Sequence, residues 1–302
     1  MATPSRVLDR IDEVFDALER GDLAGAEALM ALPRRKGAAS RERLWAEAHL
    51  AMAGQDLDAA RDWIAQTIAA DPSWWQPHVD AALLHWEAGD ADGAYAALVA
   101  TRDALDPRDP EGWLELGELA LDFERPREAA DALAHAVEHD PEDPDVWYAL
   151  GAALHALGER DAATDAWLRT RALDLAGPRP PWKLTHAELE ALAERTLREL
   201  PAEVRDGLVN VPILVEDAPS EAHVREGIDP RLLGLFTGTP LPEKGESGST
   251  PNVDNATLYL RNIEAMCDDR EQLEEQIWIT LLHETAHFYG LEDEDLEALG
   301  LG

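Results

Sequence analysis

A period of 34 residues runs through the first half of the chain and narrows what that half can fold into. Trp45, Val79, Trp113 and Trp147 stand 34 residues apart each time. Asp71-Pro72, Asp106-Pro107 and Asp140-Pro141 recur at intervals of 35 and 34. Leu116-Gly117 and Leu150-Gly151 follow their tryptophans at one offset. Gly54, Gly89 and Gly158 fall where each unit should turn, and small residues follow at Ala59-Ala60, Ala94, Ala129-Ala130 and Ala162-Ala163. A unit this short cannot bury its apolar face alone, so neighbouring units must stack. The pattern predicts two antiparallel helices per unit. The alanines let those helices approach closely, and each Asp-Pro closes one unit and opens the next.

This set of positions resembles tetratricopeptide repeats. Four units are expected near 42–75, 76–109, 110–143 and 144–177, with a degenerate helical pair at 5–37 as a cap and Gly21 at its turn. Residues 1–177 would then form an all-α solenoid. Val79 replaces the expected tryptophan in the second unit, and Glu124 stands where the third should have glycine. The resemblance implies a concave groove that takes a peptide or protein partner; the plainer alternative is a scaffold that positions the second half. The tryptophans read as core residues. His135 and His139 are four apart, but Ala136-Val137-Glu138 completes no hydrolase motif, and the histidines of this half read as solvent-facing or packing groups.

Gly177-Pro178-Arg179-Pro180-Pro181 breaks the pattern, and 178–184 reads as a linker. Thr185 and Glu188 have capping-box spacing for a helix reaching about Leu200. Val209 to Val215 reads as a strand whose Pro212 favours an edge. Leu232 to Leu241 and Ala256 to Leu260 read as short strands; Gly234 to Thr237 and Thr257 to Leu260 within them are candidates for pairing with an extended peptide, although each taken singly reads rather as a plain structural strand. Glu243 to Asn252, rich in Gly and Ser, reads as a loop. Residues 185–302 are therefore expected to form a small α+β domain.

His283-Glu284-Thr285-Ala286-His287-Phe288-Tyr289-Gly290-Leu291-Glu292-Asp293 lies on an expected helix from Glu271 to Tyr289. Positions four apart share a helix face, so His283 and His287 can hold one metal ion. Glu284 is placed to act as general base on a zinc-bound water. Gly290 would end the helix, and the following turn could return Asp293 as an oxygen ligand. Glu292 and Glu294 flank it, and the spacing prefers Asp293. Leu273, Ile277, Leu281, Trp278 and Leu282 suit a buried helix. Two histidines and a glutamate on such a helix need partners, and a metal is the simplest one.

Leu232 to Leu241, then Thr257-Leu258-Tyr259, then His283 to Asp293 followed by Glu294, resemble the bacterial zincin-like metallopeptidase family, over roughly 183–302. The resemblance implies one zinc held by His283, His287 and Asp293, with Glu284 as the base and hydrolysis of peptide bonds as the reaction. No methionine follows Met266, so the methionine turn of larger zincins is missing from this chain. Tyr259 and Tyr289 are possible oxyanion donors, though such residues are more often packed aromatics.

The formal charge of −36 argues against nucleic acid and against anionic membrane surfaces. A single cysteine, Cys267, rules out an intrachain disulfide and a cysteine zinc site. No run has the length of a membrane span, and no signal-peptide core precedes Arg10, so a cytoplasmic location is expected. The leading expectation is a zinc metallopeptidase whose repeats recruit a protein partner or substrate. Its rival is a repeat-based adaptor with a structural or inactive zinc domain. Iron(II) would suit two imidazoles and a carboxylate, but gives the motif glutamate no role.

Overall fold

The computed structural model describes residues 5–31, 40–199, 212–237 and 255–288. The Glu243 to Asn252 loop, Asp293 and the residues after it lie outside them. The chain divides into two compact units, residues 1–159 and 160–302. The fold is a helical repeat array followed by a small region with a few strands.

In the first unit, helices pair in sequence: α1 (Ser5–Glu19) with α2 (Leu23–Met30), α3 (Arg41–Ala53) with α4 (Leu57–Ala70), α5 (Gln76–Glu87) with α6 (Ala91–Ala104), and α7 (Pro110–Asp122) with α8 (Pro126–His139). Helix α9 (Pro144–Ala156) packs on α7 and α8. Every turn within a pair contains one residue of positive φ: Gly21 (71°), Gln55 (61°), Gly89 (72°), Glu124 (56°) and, after α9, Gly158 (76°). Gly54 lies in such a turn as expected, ending α3 at φ −80°, but the left-handed position falls on its neighbour Gln55. An aspartate follows at Asp22, Asp56 and Asp90, where it accepts from the backbone N–H three residues on and starts the next helix. Each Asp-Pro aspartate makes a similar local bond: Asp71, Asp106 and Asp140 accept from the N–H of Ser73, Arg108 and Glu142.

Alanines carry the close packing. Ala60, Ala82, Ala120, Ala129, Ala136 and Ala153 are fully buried. Gly117 is held to glycine by Leu133, whose Cγ would lie 2.4 Å from an added Cβ. The tryptophans divide. Trp113 lies in the core, whereas Trp45 and Trp147 are only partly buried. Their indole N–H groups donate to Asp106 O, Asp80 and Pro141 O respectively. The repeat histidines are packing and bonding groups: His78 bonds Pro72 O, His85 bonds Asp90, and His135 stacks on Trp113.

The second unit begins with α10 (Arg160–Ala176), followed by α11 (His186–Glu199), β1 (Ile213–Glu216), α12 (Glu221–Arg225), β2 (Gly234–Thr237), β3 (Asn255–Tyr259), α13 (Leu260–Ala265) and α14 (Arg270–Phe288). The sheet order is β1-β3-β2, with β1 parallel and β2 antiparallel to β3. Pro212 thus precedes an edge strand. Of the two candidate pairing strands, β2 is the outer one among the described residues. The other, β3, is central, with both sides already bonded, and Leu260 has turned into α13. The capping box forms: Glu188 accepts from the Thr185 N–H at 2.8 Å, and Thr185 Oγ1 accepts from Glu188 N–H at 3.3 Å.

Candidate metal centre

Helix α14 carries the H-E-x-x-H residues. Asp269 starts it, accepting from the N–H groups of Glu271 (2.9 Å) and Gln272 (3.0 Å). Leu273, Ile277 and Leu281 are buried in the second unit's core with Leu184, Leu189, Leu258 and Ile263. These positions fix the rotation of the helix. At 100° per residue, position 284 is two turns on from Ile277 and stays in register with the core-facing line. Positions 283 and 287 lie one turn apart on its flank. His283 is half-buried, and Trp278 stands exposed on the opposite flank. The helix packs on α11 and on the edge strand β2.

The frame around this helix is polar and specific. Asn262 Nδ2 donates to Pro230 O (2.9 Å) and Leu232 O (2.7 Å), which ties α13 to the segment entering β2. Glu264, buried, accepts from Arg179 Nε and Nη2 (2.8 and 2.6 Å) and from the Leu184 N–H (2.8 Å). Hydrogen bonding to Glu264 raises the pKa of Arg179 against the lowering effect of burial, and the charge of Glu264 adds to the rise. Trp182 Nε1 donates to Asp268 O just before α14. These ties escape a sequence reading, because nothing in the spacing of Arg179, Asn262 and Glu264 marks them as partners of distant segments. Tyr259 is wholly buried and packs within the unit. Tyr289 lies outside the described residues.

Among the described residues no group of three His, Cys, Asp or Glu side chains is assembled for a metal. The proposed third ligand, Asp293, is not among them, and for Glu284 and His287 only the backbone is described. The chemistry of the donor set nonetheless suits zinc. Neutral imidazoles one turn apart are ligands of the right type, and a carboxylate past the helix end would leave a coordination position open.

Residues 208–302 match the family model of zincin-like metallopeptidases, and residues 110–153 match that of tetratricopeptide repeats. The chain therefore joins a tetratricopeptide-repeat region to a zincin-like metallopeptidase domain. The family implies zinc. Similar solved structures include MamA from MSR-1 (18% identity, 57% of this chain and 98% of that one, TM-score 0.42). Another is PilF of Pseudomonas aeruginosa (16% identity, 66% and 83%, TM-score 0.45). No curated protein matches the chain. Among the described residues no helix is long and apolar enough to cross a membrane.

Proposed function

We propose that the chain is a zinc-dependent metallopeptidase whose repeats recruit a protein partner or substrate. The observation that carries this reading is the H-E-x-x-H sequence on a 19-residue helix whose rotation is set by its buried leucines and isoleucine, inside the stretch that matches the zincin-like family. His283, His287 and Asp293 would hold the metal. Zinc, when bound, supplies Lewis-acid polarisation of a carbonyl and an acidified water. Glu284 takes a proton on one oxygen and returns it to the leaving amine. Strand β2 packs beside α14 and is the outer strand of the described sheet, so a substrate that runs extended past it would lie along the helix. A cytoplasmic setting and a single-zinc stoichiometry belong to the same reading.

The test is elemental analysis of the wild type beside His283→Ala and Glu284→Gln, with cleavage of an unfolded protein measured on each. About one zinc per chain should be present in the wild type and in Glu284→Gln, and lost from His283→Ala. Cleavage should fall by roughly 10²–10⁴-fold in Glu284→Gln. Zinc without cleavage in the wild type moves the reading to the repeat-based adaptor. No zinc in any of the three removes the hydrolase reading altogether.

A further inference from the structure

Helices α6, α7 and α8 together line a cleft. Its volume is about 160 Å³, and two of its lining residues, Ala120 and Ala132, are small and buried. That is close to the volume of an apolar cavity able to hold a benzene ring, roughly 150 Å³. Leu98 and Leu116 form its floor. Trp113 lines one wall, kept in place by its bond to Asp106 O and by His135 stacked on it at 4.6 Å between ring centroids. At the mouth Tyr95 is exposed, with the Arg125 guanidinium 4.6 Å above its ring.

Both signs of charge stand at the rim, Arg102 on α6 and Glu128 with Asp131 on α8. Glu128 and Asp131, three apart on α8, make no hydrogen bond or ion pair among the described residues. The rim cation, Arg102, is already engaged by Asp103 at 3.0 Å. An apolar hole the size of one ring therefore lies beneath two uncompensated carboxylates, in a chain whose formal charge is −36. We infer that this cleft docks a peptide segment that places one side chain of phenylalanine or leucine size in the hole and a neighbouring lysine or arginine against Glu128 and Asp131. The site rests on the reading of the repeats as a recruiting module, and is independent of any zinc chemistry.

The experiment is fluorescence anisotropy of a labelled short peptide, one phenylalanine between two lysines, titrated with the full-length chain. Changing the peptide phenylalanine to alanine should weaken binding roughly tenfold or more, as losing a buried apolar anchor does. Filling the hole by Ala132→Leu should weaken it comparably. The pair Glu128→Gln with Asp131→Asn, which alters only the rim, should weaken it several-fold and flatten its salt dependence. Should Ala132→Leu perturb the fold, the wild-type Trp113 indole and Ala132 methyl resonances decide instead, since both must shift on titration. His283→Ala should bind the peptide like the wild type, whatever its effect on cleavage. No binding, or binding indifferent to the phenylalanine and to Ala132, overturns the proposal and leaves general attraction of cations to an acidic chain.

Discussion

In the first unit each helix is started and ended by residues a few positions away. A left-handed residue turns the chain within each pair, an aspartate caps α2, α4 and α6, and buried alanines set the spacing. In the second unit the ties span much of its length. Arg231 meets Asp174 through two bonds of 2.9 and 3.1 Å. Arg261 donates to the carbonyls of Asp174, Leu175 and Gly177, which satisfies the open end of α10. Arg171 donates to Pro219 O, and Arg179 reaches Glu264. One unit repeats short local devices and adds ties between neighbouring repeats, such as Trp45 to Asp80 and Trp75 to Asp109; the other is held by a few arginines that each join more distant segments. A local scheme spreads stability over many small interactions, while a long-range one concentrates it in a few residues. Single substitutions should therefore hurt the second unit more than the first.

The largest effect is expected at Glu264. Glu264→Ala leaves the Arg179 charge and the Leu184 N–H without their acceptor, and breaking a buried pair in this way costs about 3–5 kcal/mol. Chemical denaturation, read by hydrogen exchange in α11 and β3, measures it. A loss below about 1 kcal/mol would mean that no single tie dominates the second unit.

The first unit's counterpart is Gly117→Ala. The added methyl meets Leu133 Cγ, and Leu133 is fully buried, so the two helices must separate. Overpacking of about 1–3 kcal/mol is partly offset by a helix-propensity gain of about 1 kcal/mol. The net loss should be smaller than at Glu264. A loss equal to that of Glu264→Ala would erase the contrast between the units.

The same contrast decides what could be read from the residues beforehand. Trp45, Trp113, Trp147 and the Asp-Pro pairs repeat because the local devices repeat, so the array was visible as a period. Gln55 was not, because left-handed backbone usually advertises itself through glycine, and Gly54 stood next door. The H-E-x-x-H helix was visible because its two histidines stand four residues apart, about one helical turn. Helices α12 and α13 were not. Five- and six-residue helices carry too little periodicity, and the arginine ties that seat them leave no spacing to detect. That β3 is central and β2 an edge depends on pairing between segments far apart, which composition does not encode.

Glu124 offers a smaller test of the local scheme. Its φ of 56° costs a side-chain-bearing residue about 1 kcal/mol that glycine avoids. Glu124→Gly should stabilise the first unit, by less than that figure because glycine also gains freedom in the unfolded chain. Gln55→Gly should behave alike. Destabilisation by both would show that these side chains contribute contacts that outweigh their backbone strain.

The smallest effect concerns the acidic stripe along α7, where local stitching works against stability. The pKa of Glu115 is raised by desolvation first, then by repulsion from Asp80, Glu111 and Asp122. That of Glu118 is raised by desolvation, then by Glu115, Asp145, Asp122 and Asp143. A raised carboxylate pKa means that the folded chain binds the proton more tightly than the unfolded one. Stability contributed by these groups is therefore lost as pH climbs from the ordinary glutamate value of 4.5 through the raised one. At neutral pH the penalty is fully developed, so Glu115→Gln should raise the melting temperature of the first unit slightly, and the gain should shrink as pH falls back through that window. Both side chains remain in contact with water, which keeps the effect modest and makes it weaker in high salt. A Glu115→Gln gain that persists unchanged at low pH would assign it to side-chain packing rather than charge. The repulsion along α7 would then carry no weight in the stability of the repeats.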